Sequence, residues 1–251
     1  MKIFFAGNVK CFSLRQNNAN KVPSFSSYKN PSLAVDVVVF GYNDRTLSVL
    51  LLKRNEEPFK GKWTLPGVFL GMEERFGDAC SRVLRTKLGM DDLYTEQLYT
   101  FDEPSRDPRG RAISVAYYAL VNPQRFTTGH KSGDAEWFPV HKRPFLGFDH
   151  DEIFTTALQR LKAKILYHPA GFELLDELFT MTELHELFEC ILDTTIDRRN
   201  FRRKILDSEY VLPTGLKREG LQNRHPELYK FNRRLKLKGA GGALPEGPII
   251  N

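Results

Sequence analysis

Cysteine is scarce in this sequence. Cys11, Cys80 and Cys190 are odd in number and far apart, which excludes a disulfide framework as the source of stability. Cys80 falls on an apolar helical stripe and reads as a reduced core thiol. Long apolar runs are missing as well: none approaches the roughly 18 residues that a membrane-spanning helix needs. The opening MKIFFAGNVKC holds an apolar patch too short for the core of a signal peptide, with no small-residue cleavage site after it. These absences lead to the expectation of a cytoplasmic protein. An acidic surplus is lacking too. The net charge is +6, which permits a polyanionic partner without requiring one. At 251 residues and 41% hydrophobic content, the chain can fill one large domain or two modest ones.

What is present is organised around residues 66–90, PGVFLGMEERFGDACSRVLRTKLGM. Phe76, Ala79, Cys80, Leu84 and Leu88 recur at spacings of three and four, which predicts a helix, and Gly89 stands where a helix commonly ends. Upstream, residues 33–40 (LAVDVVVF) and 47–52 (LSVLLL) read as two paired core strands joined by the turn-rich GYNDRT. Asp36, inside the first, must be satisfied or lie at an edge. Downstream, 94–101 and 113–120 read as further strands. Between them, Ser105 to Arg111 offers three guanidiniums, which suit bidentate contact with phosphates. Residues 134–139 are a later strand. A helix follows from Asp151 with Ile153, Phe154, Ala157, Leu158 and Leu161 inward, and Asp149 and Asp151 read as helix-start acids.

The stretch around Pro66 resembles the Nudix box, G-x5-E-x7-R-E-U-x-E-E-x-G-U with U aliphatic. Pro66-Gly67, Glu74 and Gly89-Met90 fix the register, and Arg82 falls on the box arginine. The departures are informative: Val68 replaces the first glycine, Val83 the glutamate after the arginine, and Thr86-Lys87 the glutamate pair. At i, i+3 and i+4 those positions would share a helix face, and carboxylates there would converge on a divalent metal. With a valine, a hydroxyl and an ammonium in their places, metal-assisted hydrolysis is not expected.

Beyond residue 171 the pattern changes. A helix over 182–192 is predicted, with Thr182 as its N-cap, then a short turn at 193–196 and a second helix from Asp197. In the second, Phe201 and Ile205 point inward, and Arg199, Arg202 and Arg203 share another face. Residues 210–213 and 228–231 read as the strands of a wing. From 197 to 238 there are thirteen Lys or Arg against five Asp or Glu, a local charge of +8 that exceeds the whole chain's +6. Basic charge concentrated in one small region is the footprint of nucleic-acid binding.

A Nudix-like half followed by FRRKIL, PTGLKR and RHPELYKF resembles the NrtR family of Nudix-related transcriptional regulators, over about residues 33–231. The resemblance implies an α/β Nudix fold, a mixed sheet sandwiched by helices, in residues 33–166. A winged helix-turn-helix domain would follow in 167–238, with a flexible leader at 1–32 and a flexible tail at 239–251. It further implies a homodimeric repressor on a palindromic double-stranded operator, controlled by a small molecule in the Nudix pocket. The arginine-rich loop favours ADP-ribose or a related nucleotide, and with it control of NAD metabolism. A sugar-responsive regulator of the same architecture is the alternative, as is a working hydrolase of nucleoside diphosphate sugars. Expected effector contacts are Arg54, Glu74, Arg82, Arg106, Arg109 and Arg111, with Glu74 and Arg82 as structural partners in the degenerate box. Expected DNA contacts are Arg199, Asn200, Arg202, Arg203 and Lys204 from the helix and Lys217, Arg218 and Arg224 from the wing. No catalytic residue, resident metal, cofactor or membrane partner is expected.

Overall fold

The computed structural model describes residues 29–91, 93–125, 135–167, 169–219 and 225–232. Cys11, Arg224, residues 1–28 of the leader and the whole 239–251 tail lie outside them.

Strand β1 (Ser32–Asn43) pairs antiparallel with β2 (Thr46–Lys53) through Asp44 and Arg45. Both turn residues have positive φ, 46° and 61°, the requirement of the tight hairpin whose twist matches its strands. Strands β3 (Trp63–Thr64), β4 (Gly67–Phe69), β5 (Tyr94–Phe101), β6 (Ala112–Val121) and β7 (Ala135–Pro139) complete one sheet. The order is β3-β2-β1-β6-β5, with β4 on β1 and β7 on β2. β1 runs parallel to β6 and antiparallel to its other partners, so the sheet is mixed.

β1 reads as an almost unbroken apolar run because both of its faces are covered. Alternate residues serve opposite layers. Val35, Val37 and Val39 pack with Ala79, Cys80, Val83, Leu84 and Leu88 of α1 (Phe76–Leu88). Val38 and Phe40 pack with Ile153, Phe154, Ala157 and Leu161 of α2 (His150–Ile165). The expected sandwich of helices about a mixed sheet is thus present. α1 stops at Gly89, whose φ of 66° lets its N–H reach Arg85 O while Met90 N–H reaches Leu84 O.

The C-terminal part consists of β8 (Phe179–Thr180), α3 (Met181–Leu192), α4 (Arg198–Asp207), β9 (Val211–Lys217) and β10 (Glu227–Phe231), with sheet order β8-β10-β9. This is a winged helix. The start of α3 corrects the expectation: Thr180, not Thr182, is the N-cap. Its hydroxyl accepts from Glu183 N–H at 3.2 Å, and the Glu183 carboxylate accepts from Thr180 N–H at 2.8 Å. That reciprocal box needs an acid three residues on, and Thr182 has His185 there.

Leu184, Leu187, Phe188 and Ile191 of α3 share one core with Phe40, Tyr42 and Leu47 of β1 and β2. At the hairpin tip Arg45 pairs with Glu186 at 2.7 Å, and the Cys190 thiol donates to Arg45 O at 3.4 Å. Among the described residues, no helix is long and apolar enough to cross a membrane.

Candidate effector cavity and nucleic-acid interface

A cavity of about 530 Å³ opens beside the N-terminal half of β1, walled by the end of β2, β4, α1 and the loop before β6. At its floor is Asp36, the carboxylate that the apolar strand had to satisfy. It accepts from Ser114 Oγ at 2.7 Å and from Arg106 Nη2 at 3.2 Å, and His150 Nε2 lies 3.6 Å away. Gly67 crosses directly over it: a Cβ there would stand 2.2 Å from Asp36 Oδ1, so only glycine permits the approach.

Arg106 is buried and does not present a free guanidinium. Asp149 grips it through two bonds of 2.7 and 2.8 Å while Asp36 takes its inner edge. Burial opposes the charge, yet the two carboxylates outweigh it and raise the pKa. Asp149 therefore does more than begin a helix: its side chain makes no capping bond and serves Arg106 instead. Asp151, the other helix-start acid, accepts from Leu146 N–H at 3.0 Å and pairs with Arg143. His150, which from sequence could suggest a metal with its neighbouring acids but reads better as part of a helix start, lines the cavity with Asp36. Its Nδ1 accepts from Leu65 N–H at 2.9 Å, which leaves the proton on Nε2, towards Asp36. Burial lowers its pKa and keeps it neutral.

The rim is built from guanidiniums over aromatic rings. Arg109 makes bonds of 2.7 and 3.0 Å to Asp107 and lies 5.4 and 5.8 Å from the rings of Phe69 and Phe148. Arg54 is 5.1 Å above Phe148 and donates to the Pro58 carbonyl at 2.6 Å. Such a rim suits a planar base or ribose beside an anion. Two expected contacts lie off the cavity in this structure. Arg111 does not line the cavity; it turns outward to the Asp102 carbonyl. Glu74 does not line it either, because it is occupied by Arg82 through two bonds of 2.7 Å and by Gly71 N–H at 3.0 Å. The Arg82 bonds hold its pKa at about 2. Arg82 touches the cavity but is spent on Glu74 and the Phe69 carbonyl, fastening the loop to α1.

The three box positions do not share the cavity face as their spacing led us to expect. Val83 is fully buried in the middle of the apolar stripe of α1. Thr86 Oγ1 donates back to Arg82 O at 2.6 Å, the usual way a hydroxyl sits inside a helix. Lys87 alone reaches the cavity, on its long stem, and donates to the Gly67 carbonyl at 2.5 Å. Mg²⁺ asks for near-octahedral oxygen ligands. A buried valine, an engaged hydroxyl and an ammonium do not fit that requirement.

In the winged helix, Asp197 caps α4 by accepting from Asn200 N–H at 2.8 Å. Phe201 and Ile205 are buried, and the opposite side presents Arg199, Asn200 and Arg203 to solvent. Arg198, which the sequence reading passed over, is exposed beside them, and Lys204 is half-buried at the edge. The turn before α4 is clamped from α3: His185 Nε2 meets the Ile196 carbonyl at 2.8 Å, and Glu189 accepts from Ile196 N–H at 2.8 Å. Arg202 stands on the flank, where it donates to Tyr229 Oη at 2.9 Å and joins α4 to the wing. Lys217 is exposed at the end of β9. Arg218, expected on the wing's DNA side, turns back to Glu183 and the Leu178 carbonyl in this structure.

Comparison with known proteins agrees with this two-part arrangement. The family model of the NUDIX domain matches residues 30–157, and that of the NrtR DNA-binding winged helix domain matches 171–231. The crystal structure of Shewanella oneidensis NrtR complexed with a 27mer DNA has a TM-score of 0.75 to this chain at 34% identity. That likeness covers 86% of this chain and 98% of the other. The "ADPR responsive transcriptional repressor NtrR" of Acinetobacter baylyi is 33% identical over 82% of this chain and 84% of its own length. An "ADP-ribose pyrophosphatase" of Methanocaldococcus jannaschii is 30% identical over 57% of this chain and 83% of its own length. With a Nudix fold, a winged helix and such relatives along most of its length, the chain belongs to the NrtR family of transcriptional regulators.

Proposed function

We propose that this chain is an ADP-ribose-responsive transcriptional repressor, acting in the cytoplasm as a homodimer on palindromic duplex DNA and controlling genes of NAD metabolism. The observation that carries the reading is the pairing, in one shared core, of a cation-rimmed cavity with the arginine face of α4. One α4 can read only a few base pairs, so useful specificity needs two copies, with half-sites about 34 Å apart or a multiple of that. The Nudix half supplies the dimer contact in this reading, because the basic winged helices repel one another at close range. The effector lies against Ala34 and Asp36 of β1 and Leu52 and Lys53 of β2. The far end of the same hairpin holds α3 through Arg45 and Glu186. A shift of the hairpin on binding therefore changes the presentation of α4 and spoils the spacing.

The likeness to an ADP-ribose pyrophosphatase keeps a hydrolase reading in play. We propose that the chain is not an enzyme, since Val83, Thr86 and Lys87 supply none of the carboxylate ligands that metal-assisted attack by water needs. Product analysis after incubating the protein with ADP-ribose and Mg²⁺, with sedimentation of the free protein, tests both points. Intact ADP-ribose and a dimer are expected. Turnover near about one per second would put the hydrolase first, and a monomer at micromolar concentration would remove the palindrome.

A further inference from the structure

The cations in the cavity are not equivalent. Arg82 is bound to Glu74, Arg106 to Asp36 and Asp149, and Arg109 to Asp107. Lys87 is different. Its ammonium bonds the Gly67 carbonyl and, among the described residues, has no carboxylate within ion-pair distance. It is open to the cavity's solvent while protein atoms crowd much of it, and this desolvation lowers its pKa. A positive charge crowded by protein atoms and held on a carbonyl dipole alone has room for an anion as a stronger partner. It also projects from the α1 position that the Nudix box gives to a metal-binding glutamate.

We propose that Lys87 Nζ is a built-in substitute for the divalent cation: it binds the diphosphate of the effector directly, so that recognition is metal-independent. This rests on the nucleotide-effector reading and adds to it the residue and the charge logic. A nucleoside diphosphate carries its negative charge on the phosphate oxygens, and each needs a donor that is not already neutralised. Lys87 at the α1 wall, opposite the Arg54 and Arg109 rim, supplies a point charge with three donors. A metal at this place would meet the ammonium, and like charges at close range repel.

The test is calorimetry of the full chain with ADP-ribose and, separately, with inorganic pyrophosphate, each in EDTA and in Mg²⁺. Wild type, Lys87→Met (stem kept, charge removed) and Lys87→Arg (charge restored) are compared after thermal melts show that each is folded. The expected result is equal wild-type affinity for ADP-ribose with and without metal, a loss of about tenfold or more in Lys87→Met, and recovery in Lys87→Arg. Binding that requires Mg²⁺, or Lys87→Met binding as wild type, would overturn the proposal and leave the effector reading standing. If the wild type binds no ADP-ribose, that reading fails and pyrophosphate decides. Lys87-dependent pyrophosphate binding in EDTA upholds the diphosphate site, and its absence overturns it.

Discussion

Asp36, Arg106 and Asp149 form a chain of charges at the cavity floor, with Arg106 as the shared counter-charge of both carboxylates. Taking away Arg106 leaves two largely buried carboxylates without their shared counter-charge. Arg106→Ala should therefore destabilise the fold by about 3–5 kcal/mol, read as a lower urea midpoint at unchanged slope. The rim arginines should behave differently. Arg54→Ala should weaken ADP-ribose binding by about 1.5–3 kcal/mol with little effect on stability, because Arg54 has no carboxylate partner among the described residues, only carbonyls and the Phe148 ring. Arg111→Ala, outside the cavity, should leave binding unchanged in the same calorimetric assay. Equal losses from both would mean that the loop closes over the ligand in another geometry. All three arginines of the loop look alike in the sequence. What separates them is the position of Asp149, Asp107 and the Asp102 carbonyl, two of which arrive from within the loop and one from a distant helix.

The elements themselves were far more legible, because their signals are local. β5 and the helix of the degenerate box fall at the predicted residues, the helix because an apolar stripe and a terminal glycine act together. The cap of α3 was misplaced because a threonine at either position satisfies composition, and only Glu183 tells them apart. Position 83 shows a related limit: spacing puts it beside 86 and 87, but the sheet decides which side of α1 is inside, and Val83 is buried there. On α4, the buried Phe201 and Ile205 leave Arg203 at the centre of the outer face. Arg203→Ala should make the salt dependence of operator binding shallower by about one counterion and leave ADP-ribose affinity intact. An unchanged slope would take that face off the phosphate backbone.

For the molecule as a whole, the single core that joins the β1–β2 hairpin to α3 makes the cavity and the winged helix mechanical neighbours. Linkage then demands symmetry: whatever factor ADP-ribose takes from DNA affinity, DNA takes from ADP-ribose affinity. The most direct measurement is fluorescence anisotropy of the full chain on a labelled duplex selected by the protein from a random pool, titrated with ADP-ribose. The expected result is a palindromic duplex bound by a dimer and released as ADP-ribose rises, with the ligand recovered uncleaved. DNA affinity that is the same with and without ADP-ribose would contradict it.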